Sequence, residues 1–173
     1  LAIKMLIVEK KVTAEYDKKM LELEEAIDKT HEFLSGLQST SNRERNKHIS
    51  IIHTLDHLRR LLKVLKEQQK IEAIHLQDKL IMRWYDTLNE VSEALDDDEK
   101  LSEISALLEH TSQEMAKERR EKRIEYFERS VTSETGLEVA VSKVEALLWI
   151  DRLIHHYWRA TAHMAEFQAL DNE

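Results

Sequence analysis

Residues Glu145-Ala-Leu-Leu-Trp149-Ile-Asp151-Arg152-Leu-Ile-His155-His156-Tyr157-Trp158-Arg159-Ala-Thr-Ala-His163-Met164 run without a glycine or proline. Placed on a helical wheel at about 100° per residue, the stretch sorts into two faces. Leu147, Ile150, Leu153, Ile154, Tyr157, Trp158, Thr161, Met164 and Ala165 make a wide apolar arc. Arg152, His156, Arg159 and His163 line the opposite stripe, with Glu145. A helix that needed only a core and solubility would set Leu against Lys or Glu. Four cationic or ionisable groups on one face exceed that need, so the stripe is the candidate docking surface. Asp151 is the exception, because it falls between Trp158 and Ala162 inside the apolar arc. An unpaired buried carboxylate is costly, so Asp151 is expected to be buried against an Arg, a His or a hydroxyl on another helix.

The rest of the chain has the same character. It has 173 residues, no proline, and two glycines, Gly36 and Gly136, which leaves long stretches free to be helical and predicts no sheet. The absence of cysteine removes disulfides, thiolate metal sites and cysteine nucleophiles. A formal net charge of −8 argues against nucleic acid as a partner. No segment reaches the roughly 18 apolar residues of a membrane span. Leu1–Val8 is apolar apart from Lys4, and it is too short for a signal peptide with a cleavage site.

Helix starts are marked by three capping boxes: Ser41-Asn-Arg-Glu44, Asp96-Asp-Asp-Glu99 and Thr135-Gly-Leu-Glu138. Gly36 fits a left-handed position just past a helix end. These signals give helices over 2–35, 43–94, 97–131 and 136–168. A straight helix over 43–94 would be about 78 Å long, against about 50 Å for its neighbours. Its apolar seam, Ile51, Leu55, Leu58, Leu62 and Leu65, fades across Lys66-Glu-Gln-Gln-Lys70 before resuming at Ile71. A helix without a buried stripe has little to hold it straight, so a break is expected near 66–72. The fold class is all-α, an antiparallel bundle of four to five long helices in a single domain over 1–173.

Two constellations could carry chemistry. His53, Asp56, Arg60 and Lys63 share the side of their helix away from the leucines. His53 and His57 stand one turn apart, a spacing that can share a metal or simply line a polar face, and the polar face is the reading adopted. The second constellation is Asp28-Lys-Thr-His31 with Glu72-Ala-Ile-His75, two carboxylate-x-x-His pairs of the kind that build di-metal sites in helical bundles. The alternative reading is therefore a metal-binding bundle holding a divalent metal on Asp28, His31, Glu72 and His75; a plain helical interaction module is the other. The basic run Lys117-Glu-Arg-Arg-Glu-Lys-Arg123 is interrupted by Glu118 and Glu121 and reads as a solvated face. Phosphate loops, nucleophile elbows and zincin motifs are missing, so no enzyme activity is expected.

His53-Thr-Leu-Asp56-His57-Leu-Arg59-Arg60-Leu-Leu together with Leu148–Met164 resembles the PhoU-like C-terminal domain of bacterial sodium/phosphate cotransporters. Arg119-Arg120-Glu-Lys-Arg123 and the Ser/Thr/Gly turn before the last helix fit as well, so the resemblance covers about half of the chain. It implies a PhoU-like helical bundle on the cytoplasmic face of the inner membrane, a fragment of a longer transporter, with a regulatory role in phosphate uptake. The implied partners are the membrane domain of the same polypeptide or a second copy of the chain, and no cofactor is expected on this reading. PhoU proteins hold metal clusters on Glu/Asp-x-x-x-Asp motifs. Glu24-x-x-x-Asp28 and Glu93-x-x-x-Asp97 match in spacing but do not recur in the paired way of the family.

Overall fold

In the computed structural model the described residues are 14–67, 83–84, 86–88, 90–91, 100–132 and 136–172. They are helical apart from turns and caps, with no strand among them. Four helices have defined bounds: α1 (Ala14–Ser35), α2 (Asn42–Lys66), α3 (Leu101–Val131) and α4 (Leu137–Asn172). The described residues between 83 and 91 add a further helical stretch. The architecture is an all-α bundle.

α2 begins where its capping box places it. The Ser41 hydroxyl accepts the Glu44 N–H at 3.1 Å, and Glu44 Oε2 accepts the N–H groups of Ser41 and Thr40 and the Thr40 hydroxyl. These donors pull the Glu44 carboxyl below its ordinary pKa. α2 ends at Lys66, where the apolar seam fades; residues 68–82, the rest of the expected break, lie outside the described residues. Ending there frees carbonyls that have no helical partner. Buried donors on other helices reach two of the last carbonyls: Trp149 Nε1–H donates to Val64 O at 2.8 Å, which also accepts the Glu67 N–H at 3.1 Å, and the Tyr16 hydroxyl donates to Leu65 O at 3.0 Å. Burial, helped by Asp17, pushes the Tyr16 phenol up to about 12.

α4 is the element around which the others are arranged, packing on both α2 and α3, while α1 packs on α2. Along the α2–α4 contact the pairs Arg43–Leu170, Ser50–Glu166, His57–His156 and Val64–Trp149 step in opposite directions, so the two helices are antiparallel. The main core joins Leu147, Trp149, Ile150, Leu153 and Ile154 of α4 to Leu55, Leu61, Leu62 and Leu65 of α2, Tyr16, Met20, Ile27 and Leu34 of α1, and Met115 of α3. A smaller cluster of Val91, Ile104 and Leu108 packs beneath Tyr157 and Trp158. Burying large apolar side chains at about 25 cal/mol per Å² is what holds such a bundle together.

Several expectations need correction. Gly36 does close α1, but its backbone is not left-handed; Gly36 N–H and Leu37 N–H bond back to Phe33 O and Leu34 O, three residues each, in a tightened last turn. α3 starts at Leu101 rather than at 97, with Lys100 in the cap position and no side-chain cap bond; the Asp96–Glu99 box lies outside the described residues. α4 continues to Asn172 rather than stopping at 168, because Arg43 and Lys47 of α2 bind the chain at Leu170 and Asp171. Met164 is 41% exposed despite its place in the apolar arc, whereas Trp149, left out of that arc, is 0% exposed.

Candidate functional site

The polar stripes of α2 and α4 meet each other. Five histidines come together there: His53 and His57 from α2, and His155, His156 and His163 from α4. The His53 and His163 ring centres are 4.9 Å apart, edge to face, and His57 stacks on His163 at 5.8 Å. His57 also meets His156 at 5.5 Å and His155 at 6.2 Å, and His155 meets His156 at 5.3 Å. Antiparallel packing produces this contact, because each stripe sits in the middle of its helix.

The nitrogens define the protonation pattern. His57 Nδ1 and His156 Nδ1 are 3.2 Å apart, so one must carry the hydrogen and the other must accept it. At His163, Nε2 lies 3.0 Å from Arg159 Nη2, and a guanidinium only donates. His163 Nε2 therefore accepts, and its Nδ1–H donates to Glu166 Oε2 at 2.8 Å. Ser50 Oγ of α2 reaches the same carboxylate oxygen at 3.4 Å.

Charges around the rings oppose further positive charge. Arg60 stands beside His155 and His156, Arg152 beside His156, and Arg159 beside His57 and His155. The nearby acids are already engaged: Asp56 with Arg60 at 2.9 Å, and Glu67 with Arg152 through both guanidinium nitrogens at 3.2 and 2.6 Å. Burial is the largest cause that lowers the imidazole pKa values. It brings His57 and His156 down to about 4, helped at His57 by His156 and Arg159 and at His156 by His155 and Arg60. His155 is lowered too, although Asp151 pulls the other way. The surroundings of His57, His155 and His156 thus favour neutral rings, and three guanidinium groups disfavour a divalent cation among them.

Asp151 sits on the other side of α4, against α3. Arg119 Nε lies 2.9 Å from its Oδ2, and the Asp151 side chain is 15% exposed. The contact is an ion pair between α3 and α4. Burial raises the Asp151 pKa and outweighs the lowering by Arg119, His155 and Arg120.

Of the expected docking stripe, Arg152 is tied to Glu67, His156 to His57, and His163 is 5% exposed. The stripe therefore lies against α2 instead of facing solvent throughout. Arg159 is the guanidinium of the stripe whose contacts, with His163 and the Trp158 ring, include no carboxylate among the described residues. Asp28 pairs with Arg59 at 2.7 Å and His31 is exposed, so neither turns toward the seam. Glu72 and His75 lie outside the described residues, as do Glu93 and Asp97. Glu24 binds Lys66. Among the described residues no three His, Asp or Glu converge on a metal position. The basic run is knitted into the fold: Arg119 holds Asp151, and Glu118 accepts Trp84 Nε1–H at 3.1 Å and pairs with Arg83. Sequence reasoning missed the partners Glu67, Glu166 and Ser50. The only signal was that α2 and α4 each carry histidines in a mid-helix polar stripe, a pattern that reads the same whether the stripe meets water or another helix. In comparison with known proteins, the chain matches no family model, no curated protein and no solved structure.

Proposed function

We propose that this bundle is a PhoU-like accessory domain of a sodium-dependent phosphate transporter, acting on uptake through protein contacts at the cytoplasmic face of the inner membrane. One observation carries the reading. The two segments that bear the resemblance, residues 53–62 and 148–164, stand far apart in the chain yet fold against each other as a single polar seam. A bundle needing only stability gains little from buried imidazoles and guanidinium groups, because polar groups cost free energy to desolvate. Among the described residues no helix is long and apolar enough to cross a membrane, so on this reading the bilayer-spanning part is supplied by other residues of the polypeptide.

Control of this kind works through docking. Arg159 is the member of the stripe best placed to meet an acidic group on the membrane part or on a second copy, since its present contacts include no carboxylate. The test is sodium-driven phosphate uptake in cells carrying the full-length transporter, a form lacking residues 14–172, and an Arg159→Gln variant. All three are expected to insert, and the latter two to respond differently to phosphate supply. Identical uptake and identical phosphate response in all three would sink the proposal.

A further inference from the structure

We infer that the histidine seam is an acid-sensitive latch: neutral imidazoles hold α2 against α4, and protonation of the His57–His156 pair drives the two helices apart. The inference stands on the geometry of this chain and does not depend on the transporter reading.

The pair has room for only one extra proton. In its neutral form one Nδ1–H donates to the other Nδ1 across 3.2 Å. A first added proton can settle on the far nitrogen of the donor ring, leaving the shared bond intact. A second must go to the acceptor Nδ1, and then two N–H groups face each other where a hydrogen bond had been. No carboxylate is free to offset that charge. On α2 the pair is faced by His53, Asp56 and Arg60, and Asp56 is held by Arg60. On α4 it is faced by His155, Arg152, Arg159 and His163; Arg152 is held by Glu67, and Glu166 is held by His163. From α3, Arg119 and Arg120 act on Asp151, the acid nearest His155. Of the permanently charged groups that act on the two rings, Arg60, Arg152 and Arg159 outnumber Asp56.

His163 adds a second link across the seam. Its Nε2 accepts from Arg159. The Glu166 contact holds the same ring from its other nitrogen.

The direction with pH follows from linkage. His57 and His156 have folded pKa values, about 4, below the ordinary histidine value of 6.5. Their contribution to holding the fold is complete above about pH 6.5, declines as pH falls, and is gone near pH 4. Opening therefore takes up protons, and by the same linkage a partner that parts α2 from α4 binds more tightly in acid. α3 has no part in the pair, so the α3–α4 contact should persist while α2 loosens.

The experiment is amide hydrogen exchange of the 173-residue chain between pH 7 and 4.5, corrected for intrinsic exchange, with imidazole NMR titrations on the same samples. In the wild type, exchange in α2 is expected to rise about tenfold more than in α3. The His57 and His156 signals should move in step with that rise. In His57→Gln, the excess should shrink to about threefold or less. His156→Gln makes the same comparison if His57→Gln is not folded at pH 7. Equal opening of α2 and α3 would mean ordinary acid unfolding and overturn the latch. So would a glutamine variant as acid-sensitive as the wild type. The wild-type titration decides even without a folded variant: His57 and His156 gaining protons while α2 stays protected would also overturn it.

Discussion

At Asp151, burial raises the carboxyl pKa while Arg119, 2.9 Å away, lowers it, and burial is the larger effect. The pair is therefore a weak source of stability, but breaking it by halves is expensive, because Arg119 would be left without its counter-charge. Asp151→Ala is expected to cost about 2 kcal/mol, read as a fall in Tm of about 4–8 °C for a chain of this size. Replacing both partners, Arg119→Met with Asp151→Leu, should recover most of that loss, since an apolar pair needs no desolvation of charge. A double variant as unstable as Asp151→Ala would show that the ion pair itself is strongly stabilising. Asp151 was legible in the sequence, because a lone carboxylate in an apolar arc demands a partner. Its partner was not: the wheel places one helix and is silent about which residue of another helix arrives opposite. Arg119 was visible only as part of a basic run.

Among the elements, α2 is defined at its two ends by different physics. Its start is local, a capping box read directly from Ser41 and Glu44. Ser41→Ala should cost about 1 kcal/mol and raise amide exchange mainly in the first turn. Its end is tertiary, held by Trp149 and Tyr16 donating to the carbonyls of Val64 and Leu65. Trp149→Phe should cost about 2 kcal/mol, combining a lost buried hydrogen bond with a partly emptied ring site. Its exchange effect should concentrate at residues 61–66; a rise confined to α4 would contradict this account. The same contrast explains what could be read beforehand. The break near 66 showed as a fading apolar seam, and the cap showed as a motif. The facing of α4 did not show, because a polar stripe meeting another polar stripe has the same wheel as one meeting water. For the same reason Arg152, His156 and His163 were expected at the surface and instead meet α2.

For the whole molecule, the deciding feature is that α4 supplies the shared surface for α2 and α3. A chain ending at residue 136 should retain little of its helix signal by circular dichroism and melt without a cooperative transition, because α2 and α3 would each lose their main apolar partner. Cooperative melting of that fragment would contradict the central place given to α4. The order of synthesis then acquires a meaning. α1, α2 and α3 leave the ribosome before the helix that packs on α2 and α3 exists, and the contacts between α2 and α4, such as Val64 with Trp149 in the core and Arg43 with Leu170 at the surface, join residues far apart in the chain. Contacts of such long separation are slow to close, so the nascent polypeptide must carry uncovered apolar faces until translation has passed α4. During that interval it is a natural client for chaperones and prone to aggregation. A codon change that slows elongation between residues 132 and 172 would lengthen the exposed interval without altering a single atom of the finished protein.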